Sequence, residues 1–545
     1  MTVSRLGIFV LLAVILGVPF AMRPRAAPRV GGADVPTLVV VTPHVPQIQN
    51  EFSKGFDRWH RREFGTPVAI DWRQPGGTSE IIKVLEAHYQ AAASAFDFSD
   101  PKNPTCPAGA CAYDIMFGGG SFDHGRLKTG TRVSVGGADQ SIPMSEPAGF
   151  EQAQLDEWFG ENTIGAGRLY DPDQFWLGTA VSGFGIVYNR DVLRELGLPE
   201  PASFRDLARP ELRGRLTFAD PRQSGSAATS LDAILSREGW DAGWRLLREM
   251  CANARTFTNS SPKPPIDVSQ GDSAAGLAID FYGRGQAQAV TPPGVPPSES
   301  RVGYVDPPGE TYIDADPVSI LRGGPNPELS RRFVRFCLSD EGQALWQFHA
   351  TGTPAGASNP RGPGGEPMGP EVNELRRMPV RRAMYQRYAN AFVDRGVNPF
   401  EIASTAKPAG WRSAIPIMMG AFAIDNAGPL REAWAALLAA RANPATDATR
   451  LAAMEAAFYA FPTTPGPDGA PLAFTPENYK AISTVWRDRA ARARCEIAYT
   501  RFFRARYQEV VALGTGQAAS PRAGGPQAVH TPILTGVEPG AGAGR

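Results

Sequence analysis

Three short loops of glycine and small hydroxyl residues carry the chemistry this sequence can offer: QPGGTSE with Gly77 and Thr78, FGGGSFDHG with Gly120 and Ser121, and RQSGSAAT with Ser224, Gly225 and Ser226. The last and most informative stands between the apolar run Leu216 to Ala219 and an amphipathic segment with Leu231, Ile234 and Leu235 on one face. A helix opening after such a loop has N–H groups without intrahelical partners and a dipole that favours negative charge. Glycine lets the backbone approach a ligand closely. Taken singly, each loop is explained as a tight turn or a capped helix start. On one sheet edge, QPGGTSE and FGGGSFDHG join TPHVP, which carries His44, and these three together predict a cleft. A second donor set, His44, Asp280 and Tyr282, suits a hard trivalent metal ion, whose charge would strip the phenol proton and be balanced by the carboxylate. Two ligand chemistries follow: a small anionic solute held by Thr78, Ser121, Ser224 and Ser226, with Asp280 receiving its hydroxyl or amine, or a metal ion on Tyr282, His44 and Asp280.

The elements that must position these loops alternate. TLVVVT (37–42) reads as a buried strand, and Ile48, Phe52, Phe56 and Trp59 recur at helical spacing. VAIDW (68–72) is a second strand, Ile81, Ile82 and Leu85 mark a second helix, and AYDIMF leads into the loop FGGGSFDHG. Such alternation predicts a parallel sheet with right-handed crossovers and ligands beyond the carboxyl ends of its strands. A second unit begins near Phe175, with SGFGIVYN, LTFAD and GLAIDFYG as strands, the last delivering Asp280 and Tyr282 at its end. VGYVDP and DADPVSILRG add strands, and Asn326-Pro327 opens a helix with Leu329, Phe333 and Phe336 inward.

With 545 residues the chain exceeds one ordinary core, so several domains are expected. Its 55 basic and 55 acidic side chains cancel, so no global field recruits nucleic acid. The segment 1–26, with the apolar run Leu6 to Met22 after Arg5, reads as a cleaved secretory signal, or as a retained N-terminal anchor, and implies an extracytoplasmic destination. In an oxidising compartment Cys106 and Cys111, the one close pair among five cysteines, are expected to form a disulfide. A zinc site on them would lack its second half. The motifs GxxxxGK, GxSxG and HExxH are absent, so the chain is not read as an enzyme and no cofactor is expected. The alternatives are an unrecognised cleft enzyme and a secreted sensor or scaffold.

The blocks SGFGIVYNRDVLRELGLPEPASFRDLARPELRGRLTFADPRQSGSAAT, AIDFYG and DADPVSILRGGPNPELSRRFVRFCLSDEGQALW resemble the extracellular (periplasmic) solute-binding proteins of ABC importers, particularly the branch that includes ferric-ion binders. TPHVPQIQNEFSKGF and GGTSEIIKVLEA are similar to that family's first lobe. The resemblance implies an α/β, two-lobed periplasmic-binding-protein-like fold of type 2, a cleft that closes on a small solute or ferric ion, and docking on an ABC permease in the membrane. Ferric binders of that branch place adjacent tyrosines where this chain has Phe281 beside Tyr282.

The two-lobed domain is expected over 36–385, with lobe 1 at about 36–178 and 313–385 and lobe 2 at about 179–312. Beyond it the stripes Leu430, Trp434, Leu437 and Leu451, Met454, Phe458 predict an α-helical C-terminal extension, 386–513, dispensable for solute binding. Its arginine run, Arg487 to Arg506, is expected to be a solvated helix face. The stretch 514–545 reads as a disordered tail.

Overall fold

A computed structural model describes residues 35–100, 104–135, 137–292, 295 and 299–516. The segment 1–26 and nearly all of the tail lie outside the described residues. Among the described residues no helix is long and apolar enough to cross a membrane.

In lobe 1, β1 (Thr37–Val41) pairs in parallel with β2 (Ala69–Arg73) on one side and β3 (Ile115–Phe117) on the other. Between them run α1 (Pro46–Phe64) and α2 (Thr78–Ala91), and α3 (Ser121–Thr129) follows β3. The apolar positions of α1, Ile48, Phe52, Phe56 and Trp59, are all buried, with Phe52 4.5 Å from the Trp346 ring and Phe56 edge-on to Phe333 at 5.2 Å. Aromatic pairs of this kind add to the area they bury.

The strand β4 (Leu177–Asn189) is buried along all thirteen residues. Its first half pairs with β9 (Ile313–Leu321), through Ile313 opposite Gly183, and β9 joins β3 antiparallel. Its second half pairs with β7 (Ala275–Ile279), through Ile279 opposite Phe184, and with β8 (Val302–Val305). Lobe 2 continues outward from β7 through β5 (Leu216–Ala219) to β6 (Ala254–Thr258), in parallel. The chain therefore crosses between sheets at Gly183-Phe184, a few residues later than 178/179. A continuous buried strand gives no local sign of where its partners change.

Lobe 2 carries α4 (Gly225–Glu238), α5 (Trp240–Ala252) and α6 (Asp280–Val290). Asp280 and Tyr282 thus open a helix rather than end the strand. In lobe 1, α7 (Pro327–Leu338) and α8 (Asp340–Gln347) bury Leu329, Phe333, Phe336 and Trp346.

The region beyond 385 is not a separate unit. Phe392 and Phe400 still pack on lobe 1, at Phe348 and Tyr385. From Trp411 onward α9 (Ala427–Ala442), α10 (Ala448–Tyr459) and α11 (Arg489–Gly514) close over lobe 2, sharing one core with Leu235, Trp244, Leu247 and Met250. Trp434 Nε1 donates to Asn253 Oδ1 at 2.9 Å, and Tyr507 donates to the Phe422 carbonyl at 2.9 Å. The stripes that suggested an independent bundle are spent on this contact. The helix Tyr479–Val485 ends before Trp486–Asp488, and Asp488 caps α11 by accepting from Ala491 N. Arg489, Arg494, Arg501 and Arg504 do line its solvent face, and Arg487 is exposed in the break before it.

The Cys106–Cys111 bridge is corrected: both are free thiols. Their loop is held instead by Gly109 N and Cys111 N, which donate to the Gly323 carbonyl at 3.0 and 2.9 Å.

Candidate functional site

A cavity of about 370 Å³ lies between the lobes, where β4 passes from one sheet to the other. Of the residues singled out in the sequence, His44, Gly77, Thr78, Gly120, Ser224, Gly225, Ser226 and Tyr282 line it. Ser121 stands behind Gly120 with its N–H donated to Asp314 Oδ2 at 3.1 Å.

Part of the cavity lining is a set of donors. Gly77, the N-cap of α2, has no side chain to satisfy the first N–H groups of that helix. Across the cleft Ser224 caps α4 by accepting from Ala227 N. The hydroxyls of Ser224, Ser226 and Ser261 form a triangle with edges of 2.6 to 3.0 Å. Two helix N-termini and three hydroxyls therefore face the same space, and each favours negative charge there.

Two carboxylates line the same cavity. Asp314 and Asp316 stand two residues apart on β9, on one face of the strand. Asp316 is neutralised: Arg377 donates to its Oδ2 at 2.7 Å, Gly119 N donates to Oδ1 at 2.9 Å, and His44 Nε2 lies 2.9 Å from Oδ2. Burial alone would raise this carboxyl, yet Arg377, His44 and Gly119 hold it below the usual range. Burial lowers His44 despite the Asp316 charge, which leaves a neutral imidazole. Gly118, at φ +93°, sits where a Cβ would come within 2.5 Å of that ring, so only glycine fits. Arg377 reaches this group from beside the short strand Met378–Pro379, which pairs with β4, and also donates to Ser182 Oγ at 2.7 Å.

Asp314 differs from its neighbour. Burial pushes its carboxyl up to about 6, against the Ser121 hydrogen bonds and the Arg412 charge. Its Oδ1 is buried with no partner. An unpaired carboxylate oxygen on a cavity wall is an acceptor awaiting a donor.

The ferric set is not assembled. Asp280 does not line the cavity: it accepts from its neighbour Phe281 N at 2.8 Å and lies 3.5 Å from Arg284, which also pairs with Asp306. This buried group sits at the Gly183 crossing, where a Cβ would meet Asp306 at 2.7 Å. It belongs to the hinge. His44 is committed to Asp316 and Arg377, and burial pushes the Tyr282 phenol up to about 12. Among the described residues no cluster of three His, Cys, Asp or Glu side chains is placed to hold a metal ion. The residues present do not fit ferric iron.

Sequence reasoning missed Asp314, Asp316, Ser261, Arg377 and Arg412. The alternation Asp-Ala-Asp on a strand was the available signal for the first two. Arg412, from the C-terminal region, stands across the cleft mouth: it donates to the Gly225 carbonyl at 2.8 Å and to Thr229 Oγ1 at 3.3 Å in lobe 2. Toward lobe 1 it lies 3.9 Å over the Phe122 ring and 4.0 Å from Asp123.

Two α/β lobes joined by crossing strands, with a cavity between them, define a type 2 periplasmic-binding-protein fold. Residues 157–369 match the family model of bacterial extracellular solute-binding proteins. The chain is 29% identical over 189 residues, 34% of its length, to the phosphoglycerate transport regulatory protein PgtC of Salmonella typhimurium. That match spans 45% of the relative, about half its length. Similar solved structures include AfuA from Actinobacillus pleuropneumoniae with exogenous fructose-6-phosphate bound (20% identity, TM-score 0.42, 57% of this chain and 81% of that one). Iron-bound HitA from Pseudomonas aeruginosa is another (15% identity, TM-score 0.45, 70% of this chain and 99% of that one).

Proposed function

We propose that this protein captures a small, phosphorylated, hydroxyl-bearing organic anion outside the cytoplasm and delivers it to an ABC permease. The observation that carries this reading is that one cavity is lined both by hydroxyl and helix-terminal donors and by a carboxylate with an unpartnered oxygen. The serine triangle and the helix N-termini suit a phosphate group. Asp314, in the same lining, suits a hydroxyl of the same molecule. A hydroxyl donating to a carboxylate makes a stronger bond than one between neutral partners. The phosphoglycerate in the name of the Salmonella relative is of this chemical class. Contacts from both lobes exist together only when the cleft is closed, so the solute biases that state.

Binding of 3-phosphoglycerate to Ser226→Ala tests the phosphate end. Loss of one hydrogen bond to a charged group costs about 1.5 to 3 kcal/mol. Ser226 caps no helix, so the fold is expected to be unaffected. Unchanged affinity in Ser226→Ala, and again in Ser261→Ala, would move the phosphate away from the triangle and overturn the reading.

A further inference from the structure

Arg412, at the cleft mouth, faces more carboxylates than it can neutralise. From lobe 1, Asp123 on α3 lies 4.0 Å from it, and Asp314 on β9 stands behind the start of the same helix, where it accepts from Ser121 N. From lobe 2 comes Asp232, three residues along α4 from Thr229, to which Arg412 donates, and therefore on the same helix face. All three carboxylates are buried, and Asp232 Oδ1 and Asp314 Oδ1 have no partner. The remaining neighbours supply little positive charge. Tyr312 is within electrostatic reach of both Asp314 and Asp232, and Ser236 and Tyr479 face Asp232. Arg126, the second cation near Asp123, is exposed and paired with Glu86 at 2.7 Å.

The two lobes touch at this place. A Cβ on Gly225 of lobe 2 would come within 2.7 Å of Asp123 Oδ2, and one on Gly77 of lobe 1 within 3.1 Å of the Gln223 carbonyl. Arg412 is fastened to lobe 2, through the Gly225 carbonyl and Thr229 Oγ1. Opening the mouth therefore parts Asp123 and Asp314 from Arg412 and returns them to water, and leaves Arg412 to Asp232. Closing asks one guanidinium to serve three carboxylates away from water. Buried like charges raise one another's affinity for protons, and a buried charge without a partner is costly.

We infer that this cleft closes with the uptake of protons: Asp123, Asp232 and Asp314 share Arg412 only when part of the group is neutral, so acid favours the closed mouth and mild alkali the open one. Burial acts in that direction on each member, against the Arg412 charge: it pushes Asp232 and Asp314 up to about 6 and raises Asp123 as well. The ordinary value is 3.8, so protonation favours closure fully below about pH 4, and that contribution is lost as pH rises through about 6. The inference rests on the two-lobed cleft of the proposed function and not on the identity of its solute.

Small-angle scattering of the ligand-stripped full chain between pH 5 and 8 is the test. The wild-type radius is expected to increase with pH, with a midpoint near 6. Asparagine matches the shape of aspartate without its charge, so Asp123→Asn, Asp232→Asn and Asp314→Asn combined are expected to hold the compact radius across the range. A wild-type radius that is the same at pH 5 and 8 would overturn the proposal, as would a midpoint that survives unchanged in the combined variant. If that variant fails to fold, Asp232→Asn alone is decisive: with one competitor for Arg412 removed, its midpoint is expected to move to higher pH, and an unmoved midpoint would overturn the proposal. No solute is present, so a pH-dependent radius in a protein that fails to bind 3-phosphoglycerate would count against the proposed solute and support the proton coupling.

Discussion

Replacing Asp314 by asparagine separates two consequences of one buried carboxylate. The ordinary value for the group is 3.8, and burial pushes it up to about 6 in the folded chain. Below pH 4 the carboxyl is neutral in folded and unfolded chains, and its protonation contributes its full stability. Between those limits the folded chain holds the proton more tightly, so that contribution is lost as pH rises through about 6. At about 1.4 kcal/mol per pH unit, the interval amounts to about 3 kcal/mol against the ligand-free protein at neutral pH. Asparagine keeps an oxygen for Ser121 N and carries no charge. The ligand-free variant should therefore match wild type near pH 3 and exceed it by up to about 3 kcal/mol near pH 7.5, read as the unfolding midpoint across that range. Solute affinity should move the other way, falling by about 1.5 to 3 kcal/mol at pH 7.5 as the charged acceptor is lost. An offset in midpoint that stays constant with pH would refute the buried charge. Unchanged affinity would refute the contact between Asp314 and the solute.

Arg412→Ala removes the side chain that stands between Gly225 and Thr229 on one lobe and Phe122 and Asp123 on the other. Small-angle scattering should show a larger radius without ligand, and affinity should fall by about 1 to 2 kcal/mol; identical radii would contradict the bridge. A chain ending at Tyr385 loses the helices that complete the lobe 2 core and should aggregate; a soluble product with a cooperative melt would show that lobe 2 stands alone. Trp434→Ala, within that core, should cost about 3 to 5 kcal/mol, and a loss below 1 kcal/mol would place the tryptophan outside it.

The two α/β lobes were legible because their strands are apolar runs and their helices keep strict spacing, as in Ile48, Phe52, Phe56 and Trp59. The loops Gly77-Thr78 and Ser224-Gly225-Ser226 were legible because a helix start needs small residues whether or not a ligand lies beyond it. What could not be read locally was pairing across the chain. Asp280 looked like a ligand until Arg284 and Asp306 were seen to claim it at the hinge. Arg377 lies 333 residues from the His44 it meets. The C-terminal stripes were read as a bundle because an amphipathic face does not say what covers it, and here lobe 2 does.

Calorimetric titration of the ligand-stripped protein with 3-phosphoglycerate, glycerate, inorganic phosphate and ferric citrate tests the central claim most directly. The cleft described here predicts one site for 3-phosphoglycerate, weaker binding of phosphate alone and of glycerate, and no heat or visible colour from ferric ion. Ferric binding with a coloured phenolate complex that Tyr282→Phe abolishes, together with no response to the phosphoester, would contradict it.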